Sequence, residues 1–194
     1  MVDRDFFSDE RSVVEDGAIV GSGTSIWHFA HLRSGSLIGR DCVIGKGVYI
    51  DTGVKIGDNC KVQNGVSIYD GVQIEDRVFV GPHAVFTNDL RPRADIWNED
   101  RLSKTMVRQG ASIGANATVR CGIEIGEWCM IAAGSVVTKN VPPHALIVGV
   151  PGRIVGWVTK TGAKLNITVE EGRLGGTFTS EETGETVNLE ALEG

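Results

Sequence analysis

A chain of 194 residues has room for one domain of ordinary size and a small appendage. With 25 acidic against 19 basic residues, a formal net charge of −6 and no basic run, it lacks the footprint of a general nucleic-acid binder. Hydrophobic content is 41%, yet no stretch approaches the roughly 18 consecutive apolar residues of a membrane span, which predicts a soluble, cytoplasmic protein with no membrane partner.

The N-terminal MVDRDFFSDERSVVEDG is acidic and has no apolar centre, so it does not read as a signal peptide. From Val20 onward an aliphatic residue returns every six positions: Ile26, Leu32, Ile38, Ile44, Ile50, Ile56, Val62, Ile68, Ile74 and Val80, with Phe86 extending the series. A helix repeats every 3.6 residues and a strand every two, so neither alone gives six. A sustained hexad is the pattern of a parallel β-helix. Two residues before each aliphatic lies a small or β-branched residue, from Ala18 and Thr24 through Cys42 and Cys60 to Ala84, and none is charged. Alternation puts both residues on the inner side of a short strand. Glycines one or three residues past the aliphatic mark sharp corners.

Three hexads make one triangular coil, so residues three hexads apart stack in ladders. One corner ladder reads Ser34, Thr52, Asp70, Asn88, and Cys121 follows once the intervening insertion is removed. That insertion begins after Phe86. The next aliphatic in phase is Val107, far beyond the position one hexad on. About fifteen residues, roughly 89–103 and including LRPRADIWNEDR, are therefore extruded as a loop. A long excursion from so regular a scaffold more often carries function than not. Asn88 stands where the loop leaves, above Asp70.

The hexad resumes through Ile113, Val119, Ile125, Ile131 and Val137. The eighteen aliphatic positions in all correspond to about six coils. One outward face, His31, Tyr49, Ser67, Val85, Thr118 and Val136, has no Lys, Arg, Asp or Glu, which makes it the better surface for subunit contact. Triangular prisms pack naturally as threefold homo-oligomers. Cys42, Cys60 and Cys129 point inward as core residues, whereas Cys121 is expected outward at a corner. After Trp157 the hexad is lost. The division expected is a β-helix domain over 1–158 and a tail over 159–194, in which LNITV, GTFTS and TVNL suit short hairpins or a partly disordered segment.

The hexads, together with IWHFAHL, VGPHAVFTNDLRPRA, IAAGSVVTKNVPPHALIVGVPGRIVGW and the glycine-marked corners, resemble the hexapeptide-repeat acyltransferases over about residues 26–157. Within them the chain is similar to N-acetyltransferases of nucleotide-linked 3-amino sugars, of the UDP-3-amino-glucuronate type used in surface polysaccharide synthesis. Enzymes acting on dTDP-3-amino-3,6-dideoxyhexoses are the alternative. The resemblance implies a left-handed coil and a homotrimer. It also implies acetyl-CoA as co-substrate in the groove between subunits, no metal, and a nucleotide sugar entering from the other direction. It puts Asn88 and His83 in the catalytic position and Asp70, Asp89, Arg91, Arg93 and His28 near the sugar. The backbone of Ile131, Ala132, Ala133 and Gly134, with Lys139 and Arg153, falls on the coenzyme. The tail departs from those relatives that end in a Cys-containing turn, because TSEETGE has no cysteine.

The chemistry fits an amine acceptor. Acetyl transfer needs a neutral nucleophile, a positioned thioester and stabilisation of the oxyanion. An ammonium loses its proton easily near neutral pH, so a strong base is optional. A sugar hydroxyl, the O-acetyl alternative, leans harder on a histidine such as His83. A β-helix metalloenzyme needs three converging histidines; His28 on a corner and His31 on a strand do not share a face. A noncatalytic trimeric scaffold is the remaining reading.

Overall fold

The computed structural model describes residues 5–96, 98–167 and 175–189, and it is an all-β solenoid of about eight turns consistent with a left-handed β-helix. Its strands are mostly two residues long, the outward residue first and the inward one second: Ser25–Ile26, His31–Leu32 and Leu37–Ile38 form one coil. Each strand pairs in parallel with its equivalents one coil below and one coil above, as Lys61 does with Val43 and Phe79. The result is three stacked faces. The first is a sheet of 10 strands beginning at Phe7–Ser8, the second of 7 beginning at Val13–Val14, the third of 6 beginning at Ile19–Val20.

The core is the inward column of aliphatics, Ile26, Leu32, Ile44, Ile50, Val62, Ile68, Val80, Phe86, Ile113 and Ile125 among them, all fully buried. Cys42, Cys60, Ser36 and Thr105 fill the small inward positions beside them. Burial pushes the Cys129 thiol up to about 12, so it is inert at neutral pH. The tightness of the stack explains the glycine at the first corner position, which needs no special φ. A Cβ at Gly81 would sit 2.6 Å from the Ala115 nitrogen of the next rung.

The solenoid is longer at both ends than the hexad series. At the base, Phe7–Ser8 and Val13–Val14 add a coil, pairing with Ser25–Ile26 and His31–Leu32. Ser8 occupies the inward place of an aliphatic, which hides this coil from the periodicity. At the top, Ala145–Val148 adds a strand to the first face, but Ile131 meets its partner Ile147 after less than a full coil of three hexads. The missing two residues fall between Thr138 and Asn140: Val119 still pairs with Val137 a full coil on, whereas Ile125 already bridges Val141. Arg153–Val158 and Lys164–Leu165 then extend the first face antiparallel. A hairpin of Gly176–Thr179 and Thr186–Leu189 follows, with Val187 and Leu189 buried in the core cluster. The stretch LNITV contributes Leu165 to a strand and then runs into 168–174, outside the described residues.

Cys121 is not outward. It is fully buried, its N–H bonded to the Thr87 hydroxyl at 3.0 Å, because the neck of the extruded loop folds against this rung. Among the described residues no helix is long and apolar enough to cross a membrane.

Candidate functional site

Three corners join the faces. The first corner, between the first and second faces, carries His28, Lys46, Asn64, His83, Ala133 and Gly134. The second, between the second and third faces, carries Asp70, Asn88, the loop and Lys139.

At the second corner the ladder is as the coil repeat predicts. The Thr52 hydroxyl donates to the Ser34 carbonyl at 2.7 Å, and Asp70 Oδ1 accepts its neighbour Gly71 N–H at 2.7 Å. Ser67 pairs with Val85, which puts Asn88 on the rung above Asp70. The Asn88 carbonyl accepts the Ser103 N–H at 3.0 Å and closes the neck of the loop. Its side-chain amide makes no hydrogen bond with any described residue. An amide at a loop neck with its polar atoms free is a donor and acceptor held ready for a substrate.

Asp89 is not free in this way. Its Oδ1 accepts the Arg91 N–H at 2.6 Å and its Oδ2 accepts Arg101 Nε at 2.9 Å. The Arg101 and Asp89 side chains are 17% and 11% exposed. The Arg91 amide, and then the Arg101 guanidinium, hold the Asp89 carboxyl below its ordinary range. It is an ionised clasp across the loop, reinforced by the Asp89–Leu102 bridge. Arg101, on the 3₁₀ turn Glu99–Arg101, is invisible to spacing arguments because the loop has no period. Arg91 and Arg93 are exposed on the loop, Arg93 donating to the Pro92 carbonyl at 2.8 Å.

His83 lies elsewhere. It is exposed on the first corner with φ 59°, its N–H bonded to the Asn64 carbonyl at 2.9 Å. Its ring lies over Gly65, where a Cβ would come within 2.5 Å of Nδ1. The strand Val85–Phe86 separates it from Asn88. Five extended residues span roughly 16 Å, so one chain does not bring His83 and Asn88 together.

The coenzyme candidates divide the same way. On the first corner, Ala132 N–H is bonded to Ile147 O and Gly134 N–H to Ala115 O, both at 2.8 Å. The N–H groups of Ala133 and of Ala115, one rung below, have no acceptor among the described residues. Ile131 itself is buried. On the second corner Lys139 meets Arg153 in a groove of about 350 Å³ that Asn140, Gly152 and Ile154 also line. His28 lies far down the first corner, its ring edge-on to Phe29 at 5.5 Å. The candidate residues therefore occupy the two edges of one face, the second. Among the described residues no group of three or more His, Cys, Asp or Glu side chains is placed to hold a metal ion.

Known proteins share the repeat and the fold. Residues 17–52 and 104–139 match the family described as bacterial transferase hexapeptide (six repeats), and residues 37–70 match the hexapeptide repeat of succinyl-transferase. Over 66 residues the chain is 47% identical to dTDP-3-amino-3,6-dideoxy-alpha-D-galactopyranose 3-N-acetyltransferase of Aneurinibacillus thermoaerophilus, 34% of each chain. Over 86 residues it is 41% identical to serine acetyltransferase of Escherichia coli strain K12, 41% of this chain and 31% of that one. The chain thus spans about a third of the length of these curated relatives. A hexapeptide-repeat acetyltransferase of Vibrio cholerae O1 biovar eltor, solved with acetyl coenzyme A, superposes with a TM-score of 0.56 at 28% identity, covering 64% of this chain and 72% of that one. A Caulobacter crescentus protein solved with CoA and GDP-perosamine shares the fold at a TM-score of 0.51 and 22% identity, over 78% and 57% of the two chains. With its six-residue phase and stacked two-residue strands, the chain carries over 17–70 and 104–139 the hexapeptide repeat that these family models describe.

Proposed function

We propose that the chain is an acetyl-CoA-dependent N-acetyltransferase acting on the amino group of a nucleotide-linked 3-amino sugar, as a homotrimer with its site between subunits. The observation that carries this reading is the division of the site. Asn88 and the loop stand on one edge of the second face, His83 and the free Ala115 and Ala133 N–H groups on the other. Three prisms placed with that face toward a common axis bring the first corner of one copy to the second corner of the next. The face's outward strand residues, uncharged from Tyr49 to Val136, suit such a contact. The acetyltransferase relatives, one of them named for a dTDP-linked 3-amino sugar, support the reaction class.

The chemistry follows from these parts. The free N–H groups of Ala115 and Ala133 donate to the amide carbonyls of an extended pantetheine arm. Lys139 and Arg153 receive its phosphates. The sugar's neutral amine attacks the thioester carbonyl, the C–S bond breaks, and the amine's proton passes to the departing thiolate or to His83. The free Asn88 amide orients the amine or donates to the developing oxyanion. Asp70, one rung below, accepts a hydrogen bond from the sugar. Arg91 and Arg93 on the loop fit a carboxylate at C5, which favours a UDP-3-amino-glucuronate substrate; the dTDP-sugar relative favours a dideoxyhexose.

One experiment separates these. Release of CoA thiol is followed with acetyl-CoA and a panel of the UDP-3-amino-glucuronate, the dTDP-3-amino-3,6-dideoxyhexose and their 3-hydroxy counterparts. The amino sugars are expected to turn over and the 3-hydroxy sugars not to. Turnover of the hydroxy sugars alone would establish the O-acetyl reading. Light scattering should give about three times the 20.8 kDa chain mass; an active monomer would overturn the shared site.

A further inference from the structure

The second corner carries a cation that the chemistry above leaves unused. Arg120 follows the buried Val119 and is exposed at the first position of that corner. Its backbone is pinned. The Arg120 N–H donates to the Val137 carbonyl at 3.0 Å, and the next N–H, of Cys121, donates to the Thr87 hydroxyl at 3.0 Å. Its guanidinium makes no hydrogen bond or ion pair with any described residue. Other arginines of the molecule are answered: Arg11, Arg33, Arg40, Arg101 and Arg108 each have a carboxylate oxygen at 2.9–3.0 Å. Arg77 is also without a partner among the described residues, but it lies on the third corner, away from both candidate edges. The contrast is sharpest within one column. Arg33 sits between Glu15 and Asp51 and pairs with both. Arg120 sits between Thr87 and Thr138 and finds no carboxylate. A guanidinium on a fixed backbone with no anion of its own is available to one that arrives.

The rungs say where it stands. Phe86 pairs with Val119 and Val119 with Val137, so Arg120 lies one rung above the level of Asn88 and one below that of Lys139. The free N–H groups of Ala115 and Ala133 on the first corner are likewise one rung apart, about 4.8 Å. In a pantetheine arm a four-bond spacer, roughly 5 Å when extended, separates the two amide carbonyls. An equal spacer separates the second carbonyl from sulfur. With its carbonyls on Ala133 and Ala115, the arm ends one rung lower, at the level of His83 and of a neighbouring copy's Asn88. Arg120 then stands beside the cysteamine end of the arm, below the phosphates at Lys139 and Arg153. That end is uncharged in the bound thioester. Negative charge appears there only as the reaction proceeds.

Resting on the transferase reading above, we infer that Arg120 is a further catalytic residue, its guanidinium and the Asn88 amide bracketing the thioester carbonyl and sharing the oxyanion. The sugar's amine attacks the carbonyl carbon, the C–N bond forms, and the C=O pair moves onto the oxygen between the two donors. That pair then returns, the C–S bond breaks, and the thiolate leaves with the amine's proton. Arg120 acts on charge that the ground state lacks, so it raises kcat without tightening either substrate.

The test follows thiol release from acetyl-CoA by the full chain, with the amino sugars and, without them, as slow hydrolysis by water through the same oxyanion. Arg120→Gln should lower kcat at least about tenfold in both, with KM for sugar and for acetyl-CoA within about twofold of their starting values. Arg120→Lys, which keeps the charge and loses the fork, should recover part of the rate. Melting temperature should hold in both variants, because no contact is lost. A raised KM for acetyl-CoA at unchanged kcat, absent with phosphate-free acetyl-pantetheine, would make Arg120 a phosphate ligand and overturn the inference. A raised KM for the amino-glucuronate alone would overturn it too, making Arg120 a carboxylate ligand. Sugar turnover that Arg120→Gln leaves intact sinks the arginine and keeps the transferase. Arg120-dependent hydrolysis with no turnover of any amino sugar keeps the arginine and sinks the amino-sugar reading. No thiol release under any condition sinks both.

Discussion

The two corners that border the second face make the same bend by different means. Both place their third residue in the left-handed region. The second corner uses glycine at every regular rung, Gly71 (φ 90°) and Gly122 (φ 78°) flanking the loop. The first corner instead holds Phe29, His83 and Asn116 there, with φ of 62°, 59° and 56°. A left-handed L-residue costs roughly 1–2 kcal/mol, so the second corner takes the easy backbone and puts its chemistry on the residue before, Asp70 and then Asn88. The loop itself is inserted where the next such glycine would fall: Asp89 follows Asn88 in that place. The first corner accepts strain at His83 and sets glycines beneath it. Positive φ alone does not mark a site, because the third corner does the same with Asp41, Asn59, Arg77, Trp128 and His144, away from both candidate edges.

The sharpest way to break this contrast is Asn88→Ala. It should lower kcat/KM at least about tenfold, on the order of 1.4 kcal/mol of transition-state stabilisation, with little change in melting temperature because the side chain has no partner to lose. Unchanged kinetics would move the chemistry off the second corner.

Next is the clasp. Arg101→Ala should raise the KM for the amino sugar about fivefold, leave that for acetyl-CoA near its starting value, and open 90–99 to protease. Deleting Leu90 to Glu99 should act in the same direction. Acid offers a second view. Asp89's folded pKa is depressed, so the clasp is complete above the ordinary carboxylate range near 3.9 and is lost as pH falls through the lower folded value. Protease protection of the loop that persists unchanged into strong acid would argue against the ion pair.

His83→Asn should cost less, about threefold in kcat for an amine acceptor, because solvent or the thiolate can take the proton. Asparagine tolerates the left-handed backbone, so the coil should keep its stability. The pH optimum should shift upward toward the amine's own pKa. Near-total loss at every pH, with coenzyme affinity intact, would make His83 an obligatory base and favour a hydroxyl acceptor.

The smallest effect tests a residue outside both edges. His144 is 8% exposed, donates Nδ1–H to the Val158 carbonyl at 2.9 Å, and is held below its ordinary pKa by burial. Its contribution is therefore full above about pH 6.5 and declines as pH falls, because the unfolded imidazole binds the proton first. Urea midpoints should drop modestly from pH 7 to 5 with activity per folded molecule unchanged. A flat profile would remove His144 from the account.

Much of the molecule is legible in a list of residues because the coil repeats. The inward column from Ile26 to Val137, the stacking of Asn88 above Asp70 and the extrusion after Asn88 all follow from counting by hexads and by coils. Counting fails where the period does. Ser8 in an aliphatic's place conceals the first coil, and the corner between Thr138 and Asn140, two residues short, conceals the last. Cys121 counts as outward because the loop that buries it has no phase. Asp89 looks available until its two oxygens are seen engaged by Arg91 and Arg101.

The chain alone decides which residues share a face, since two side chains per six must enter a narrow core and every other choice follows the pleat. Which polar groups remain unpaired is a tertiary matter. Asn88 and Ala133 are set apart from Asp89 and Ala132 only by where the neighbouring rung and the loop place an acceptor or a guanidinium. Hydrogen bonding acts over about 3 Å, a scale on which a repeat position says nothing until the backbone is folded.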